Sequence, residues 1–354
     1  VKAVAIPKKN GGERILGVPT VADRVAQMVV KLTFEPIVEA IFLPDSYGYR
    51  PRKSALDAIG ITRKRCWKYN WVFEWDIKGL FDNIDHGLLL RAVKKHTDCK
   101  WVILYIERWL KAPMQLADGT LVERTKGTPQ GGVVSPVLSN LFLHYAFDVW
   151  MTRTFPQVPW CRYADDGLVH CETEQQAQTI KSMLMQRLAE CGLEMHPEKS
   201  KIAYCRDGSR KGKYPTTEFD FLGYTFRPRV VKNRKRNSIF VSFTPAVSSE
   251  AMTFMRQTTR RWRYRNRTEL SLGDIARMFN PVLSGWLDYY GRYYPSAMYP
   301  VLRHFNMTLI AWAMRKYKRF KGHKIRAALF IEGISKKRPD LFIHWERGMV
   351  GAFA

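Results

Sequence analysis

The chain has no Cys-x-x-Cys pair, no His-Glu-x-x-His and no cluster that mixes cysteine with histidine, although it holds six cysteines and eight histidines in 354 residues. These absences argue against the usual structural zinc modules, and a chain of this size needs no disulfide staples. Cys66, Cys99, Cys161, Cys171, Cys191 and Cys205 are therefore read as free thiols in a reducing, cytoplasmic setting. No stretch reaches 18 uncharged apolar residues, and the opening segment has no apolar run of signal length. Neither a membrane partner nor a secretory leader is expected. The first residue is Val1 rather than methionine, so further upstream sequence is expected.

Negative charge is also scarce. The chain has 58 Lys and Arg against 32 Asp and Glu, a formal net charge of +26. The imbalance is concentrated: residues 225–354 carry 26 basic and 7 acidic side chains, while the first 224 carry 32 and 25. A cationic segment behind a body of mixed charge points to a polyanion partner, because phosphate neutralisation is the usual use of such a field. Apolar residues make up 46% of the chain, enough for two or three packed units and too many for a disordered tail.

Along the chain, residues 1–18 read as a basic hairpin around Asn10-Gly11-Gly12. A helix is expected over 20–41, a short helix capped by Ser54, a strand at 71–77 and helices starting after Asp85 and at 101. The glycine- and proline-rich segment 127–136 is a loop leading into a helix that ends near Trp150. Residues 160–170 read as two strands around Ala164–Asp166, followed by a helix over 174–191 and a strand or tight hairpin at 219–226. Strands interspersed with helices, without a regular repeat, predict an α/β (α+β) body with a mainly antiparallel sheet. Three helices over 248–265, 273–293 and 299–316 predict a helical second domain, with a basic junction before it.

The segment Tyr163-Ala164-Asp165-Asp166 places two carboxylates side by side between apolar flanks. Adjacent buried carboxylates repel one another unless cations intervene. Asp76 ends a separate apolar strand, and antiparallel pairing with the 163 hairpin would gather three carboxylates around one volume. Such an oxygen cage suits two hard divalent cations, magnesium rather than zinc. Read alone, the same pattern also allows a strand-end aspartate and a solvated Asp-Asp turn.

The segments IPKKNGGERILGVPTVADRVAQ, SYGYRPRKSALDAI, WDIKGLFDNIDH, KGTPQGGVVSPVLSNLFLHYAFD, RYADDG, HPEKS and FLGY occur in the order seen in reverse transcriptases. More narrowly, the chain resembles the group II intron reverse transcriptase/maturase family, and NPVLSGWLDYYGRYYP at 280–295 resembles that family's thumb/maturase domain. The resemblance implies a right-hand polymerase fold: fingers and palm over 1–230, a basic junction over 231–247 and an all-helical thumb/maturase domain over 248–354. It implies attack of a primer 3′-hydroxyl on the α-phosphate of a deoxynucleoside triphosphate, on an RNA template, with release of pyrophosphate.

By the same resemblance Asp76, Asp165 and Asp166 hold two Mg²⁺ ions, with Mn²⁺ as a substitute. Phe81 falls on the steric-gate position that excludes a 2′-hydroxyl. Lys8 and Arg14 fall on fingertip positions that grip the triphosphate, although Lys9 is equally basic. Gln130 lies in the loop beside nucleotide and template, Lys199 follows the catalytic hairpin, and Arg52 belongs to a template-binding loop. Surface-charge, core or bland-loop roles stay open for these residues.

In the second domain Arg256, Arg260, Arg263 and Arg267 recur with spacings of four, three and four, and line one face if the helix persists that far. Trp286, Tyr289, Tyr290 and Tyr293 form either a base-stacking platform or core packing. The family implies binding of a structured group II intron RNA, with help in splicing and retrohoming. No HNH endonuclease segment is apparent. Two rivals remain: a reverse transcriptase recruited to defence or repair, and a non-polymerising RNA-binding splicing factor or chaperone on the same scaffold. Oligomeric state is not legible.

Overall fold

The structure, a computed structural model, describes residues 1–7, 12–233 and 237–349. It divides into two compact units, Val1–Thr217 and Glu218–Ala354.

In the first unit, strands β1 (Lys2–Pro7) and β2 (Glu13–Val18) pair antiparallel, from Lys2↔Val18 to Pro7↔Glu13. Helix α1 (Val21–Glu39) starts where Thr20 accepts from the Asp23 backbone N–H, and α2 (Ala55–Lys68) starts at a Ser54/Asp57 capping box. Strand β3 (Trp71–Asp76) leads through α3 (Leu80–Asn83) into α4 (His86–His96), capped by Asp85, and then α5 (Lys100–Lys111). Short strands β4 (Met114–Gln115) and β5 (Leu121–Val122) extend the first sheet.

Helix α6 (Ser135–Leu143) continues through a π turn at His144–Asp148 into α7 (Val149–Thr154). Strands β6 (Trp160–Tyr163) and β7 (Asp166–Cys171), helix α8 (Glu174–Glu190) and strand β8 (Lys201–Tyr204) complete the unit. Its main sheet has the order β6-β7-β3-β8 and is antiparallel throughout. β3 is central and packs on both faces, which is why Trp71, Val72 and Phe73 are all buried rather than alternating. Gly167 is required where β7 crosses β3, since a Cβ there would lie 2.2 Å from the Trp75 ring.

The second unit begins with a three-stranded antiparallel sheet of order β11-β10-β9, comprising β9 (Phe219–Phe221), β10 (Tyr224–Asn233) and β11 (Ser238–Val247). Helices α9 (Ser249–Arg261), α10 (Leu272–Tyr290), α11 (Tyr299–Lys316), α12 (Lys324–Lys337) and α13 (Ile343–Glu346) follow. They enclose a core that includes Met255, Tyr264, Phe279, Leu309, Trp312 and Trp345.

Three sequence readings shift here. The units divide at 217/218 rather than 230/231, because the hairpin of β9 and β10 packs with the helices: Tyr224 lies against Tyr289, Tyr290 and Tyr293. Residues 231–247, read as a basic junction, lie for their described part chiefly in the paired strands β10 and β11. The arginine face also breaks. α9 stops at Arg261, Arg263 turns left-handed (φ 51°), and Arg267 pairs with Glu269 at 2.7 Å. The chain turns there to bury Tyr264, whose hydroxyl donates to the Phe305 carbonyl at 2.9 Å. Only Arg256 and Arg260 remain on one helix.

The aromatic stripe of α10 is packed: Trp286 stacks on Trp262 at 5.6 Å, and the Tyr289 hydroxyl donates to Leu222 O. All six cysteines are unpaired. No helix among the described residues is long and apolar enough to cross a membrane.

Candidate active site

The site lies at one end of the main sheet in the first unit. β3 ends on Asp76 and β7 begins on Asp166, and the antiparallel register sets these two residues directly opposite one another. β6 and β7 close through Tyr163↔Asp166, which leaves Ala164 and Asp165 as a two-residue turn. Ala164 has φ 54°, an uncomfortable value for a residue with a side chain, so the surroundings must hold it.

Two devices do so. Arg162 is fully buried, donates to Ala164 O at 3.0 Å, and forks onto Asp148 at 2.7 and 2.6 Å, with Asn140 and Ser46 taking further donors. The segment around Ser46 lies alongside β6, with Tyr47 N–H donating to Arg162 O and Arg162 N–H to Asp45 O. There Gly48 comes so close that a Cβ would sit 2.3 Å from Ala164 N.

Gathering the carboxylates has the expected electrostatic consequence. Burial first, then the charges of Asp165 and Asp76, push Asp166 up to about 7. Burial also raises Asp165, with Asp76 adding to the rise and Arg14 and Lys199 opposing it. Lys199 Nζ lies 2.7 Å from Asp76 Oδ2, and this hydrogen bond raises the amine. The lysine is placed by a turn pinned to the Asp76 backbone, through His196 N–H to Asp76 O at 2.8 Å.

Tyr49 borders the same volume. Burial and then Asp165 raise its hydroxyl, and its ring meets Phe81 edge-on at 6.4 Å. The glycine-rich loop is strapped beneath Phe81: Thr128 N–H donates to Phe81 O at 2.6 Å and Gly127 N–H to Ile84 O at 2.7 Å. The Gln130 amide donates to both oxygens of Asp82 at 3.1 and 3.0 Å, while Gly17 N–H donates to Gln130 O.

The structure thus brings together Asp76, Asp165, Asp166, Lys199 and Arg14, with Phe81 reached through Tyr49, while Gln130 bonds to Asp82, the residue after Phe81. Arg52 is exposed at φ 60° and has no ion pair among the described residues. Lys8 lies outside the described residues. Arg256, Arg260, Arg263 and Arg267 belong to the second unit.

Sequence reasoning missed Arg162, Asp148, Tyr49 and Gly48. Their available signals were an arginine inside the apolar run WCRYA and an aspartate inside the apolar helix NLFLHYAFDVW. Among the described residues, no three acidic, imidazole or thiol groups close into a metal cage. The donors that the register gathers are oxygens alone, and Asp166 is buried among like charges, a combination that fits hard divalent cations.

Comparison with known proteins accords with this architecture. Residues 6–226 match the family described as reverse transcriptase (RNA-dependent DNA polymerase), and residues 252–330 match the group II intron, maturase-specific domain. The protein YkfC of Escherichia coli is 29% identical over 317 residues, covering 77% of each chain. The group II intron-encoded protein LtrA of Lactococcus lactis is 39% identical over 146 residues, which cover 41% of this chain and 24% of LtrA. The putative COX1/OXI3 intron 1 protein of Saccharomyces cerevisiae is 31% identical over 43% of this chain and 18% of its own length. Apo telomerase from Candida tropicalis shares the fold at a TM-score of 0.50 and 13% identity, over 99% of this chain and 67% of its own. The chain belongs to the reverse transcriptase family, in the group II intron lineage that carries a maturase-specific domain.

Proposed function

We propose that this chain is an RNA-directed DNA polymerase that extends a primer 3′-hydroxyl with deoxynucleotides on an RNA template, and that it binds a group II intron RNA to assist splicing and retrohoming. The observation that carries the polymerase reading is the register pairing of Asp76 with Asp166 beside Asp165. In this reading the three aspartates hold two Mg²⁺ ions. The ions supply Lewis-acid stabilisation of the attacking oxygen and the leaving phosphate.

The protein's share is positioning and charge. Lys199 and Arg14 set positive charge beside the carboxylates, where a triphosphate brings its own negative charge. Phe81, backed by Tyr49, forms the floor under the sugar and disfavours a 2′-hydroxyl. Gln130, with its side-chain nitrogen held by Asp82 and its backbone carbonyl by Gly17 N–H, is left with its side-chain oxygen Oε1 for nucleotide or template. The cationic second unit supplies backbone affinity for RNA.

The test is extension of a DNA primer on an RNA template with dNTPs or NTPs, with and without Mg²⁺. The Asp165→Asn/Asp166→Asn double variant should lose extension and keep RNA binding. Extension equal to the parent would overturn the assignment. RNA binding without extension by the parent would favour the splicing-factor reading instead.

A further inference from the structure

The β10–β11 hairpin runs far beyond the sheet it belongs to. β9 pairs only with residues 224–226 of β10, whereas β10 and β11 stay paired out to Asn233↔Ser238. From Arg227↔Thr244 outward no third strand pairs with the hairpin, and Tyr294 packs against it, its hydroxyl donating to Val230 O at 3.2 Å. Side chains alternate across such a ribbon, so register sorts them by face. Arg227, Arg229, Val231, Ser242 and Phe240 share one face, while Val230, Lys232, Val241 and Ile239 occupy the other.

The first face holds charge that the protein leaves largely unneutralised. The Arg229 guanidinium lies over the Tyr294 ring at 5.5 Å and donates to Thr244 O and Thr225 O, each at 3.3 Å. It is half-buried, yet among the described residues no carboxylate comes within ion-pair distance. Arg227 sits two residues away, roughly 6.6 Å along the strand. Its carboxylate contact is Glu218 at 3.8 Å, between side chains 51% and 57% exposed, which offers little neutralisation. Burial first and Arg227 second lower Arg229 to about 10, with Tyr294 and Glu218 acting in the opposite direction. Further along the same face the Phe240 ring is 48% exposed.

A phosphodiester supplies the missing anion, and the Ser242 hydroxyl opposite Arg229 offers it a further donor. An exposed ring next to phosphate-binding groups suits a base stacked on its face, which requires that base to be unpaired. We propose that the Arg227/Arg229/Ser242/Phe240 face of the β10–β11 arm binds single-stranded RNA, with the two arginines and the serine on the backbone and Phe240 stacked on a base. An acidic peptide would satisfy the arginines but give Phe240 no stacking partner, and duplex RNA would leave the ring idle.

The test uses the full chain and a fluorescein-labelled oligouridine, with binding followed by anisotropy over a salt series. Nucleotides and divalent cations are omitted, so the result is independent of polymerase activity. Arg227→Ala should weaken binding about five- to tenfold at low salt and reduce the slope of log K against log salt by about 0.7. Phe240→Ala should weaken it about tenfold with an unchanged slope. Ile239→Thr, on the opposite face, should stay within about twofold, and duplex RNA should not distinguish Phe240→Ala from the parent. Parental affinity in both Arg227→Ala and Phe240→Ala would overturn the proposal, as would an equal loss in Ile239→Thr. Should either variant fold poorly, 4-thiouridine RNA can be cross-linked to the parent chain. Adducts at residues 238–244 support the arm, and adducts confined to other segments overturn it.

Discussion

At the residue scale, the site is a set of like charges gathered by strand register, with their turn held by Arg162 and by the close approach of Gly48. Arg162 and Asp148 are both inaccessible to solvent, and their forked pair also fixes the carbonyl of Ala164 in the aspartate turn. Breaking a buried pair leaves an uncompensated charge and typically costs about 3–5 kcal/mol. Arg162→Met should therefore lower the free energy of unfolding by that much, measured by denaturant titration, and Asp148→Leu added to it should recover part of the loss. Additive losses in the double variant would show that the pair is not coupled. Phe81 carries no charge of its own, and its ring meets Tyr49 edge-on. Phe81→Val should retain deoxynucleotide incorporation and raise ribonucleotide incorporation at least tenfold, measured as the ratio of kcat/KM values. An unchanged ratio would remove the gate. The aspartates were legible because two adjacent acids between apolar flanks are conspicuous. Arg162 was not, because a lone arginine in a strand looks the same whether it faces solvent or a buried partner.

At the element scale, the strained turn depends on how closely two loops approach. Gly48 leaves no room for a methyl group against Ala164 N, and both atoms belong to backbone. Gly48→Ala should abolish primer extension while leaving helix content by circular dichroism near the parent, because the change separates the 46–52 loop from the aspartate turn without touching a carboxylate. Near-parental extension would mean that the turn holds its shape unaided. Cap signals made α2 and α4 legible, since Ser54 and Asp85 each accept a first-turn N–H, while α1 was legible from its apolar spacing and its cap, Thr20, only in the structure. Extrapolating the arginine spacing past Arg261 failed for a tertiary reason. Trp262 stacks on Phe279 at 4.3 Å and Tyr264 is buried, so the chain gives up helix to bury one ring and pack the other. The long arm of β10 and β11 was also hidden, because residues 231–247 read as a basic junction and both faces of the arm mix cations with valine, Arg229 with Val231 and Lys232 with Val230.

At the scale of the whole molecule, both units bury neutral histidines. His170 in the first and His344 in the second are pushed down to about 3 by burial. Unfolded imidazoles titrate near 6.5, so below that pH the unfolded chain binds protons that the folded chain refuses. The stability from these neutral rings is complete above about pH 6.5 and is lost progressively toward pH 3. His170→Phe, which also removes two ring nitrogens without hydrogen-bond partners, should flatten the acid side of the stability profile for the first unit. Thermal midpoints measured between pH 7 and pH 4 check this, and parallel decline in parent and variant would refute it.

The amino-acid sequence by itself determined the polyanion partner, the order of the motifs, the capped helices and the carboxylates at the ends of apolar strands. Those properties reside in composition and local spacing. Only the tertiary structure decided that Asp76 faces Asp166, that a buried Arg162 and a glycine at 48 hold their turn, and that the aromatic stripe of α10 is packed rather than displayed. Each of these is settled by strand register and by which partner a side chain finds on burial. Both arise from contacts between residues far apart along the chain, where spacing carries no information.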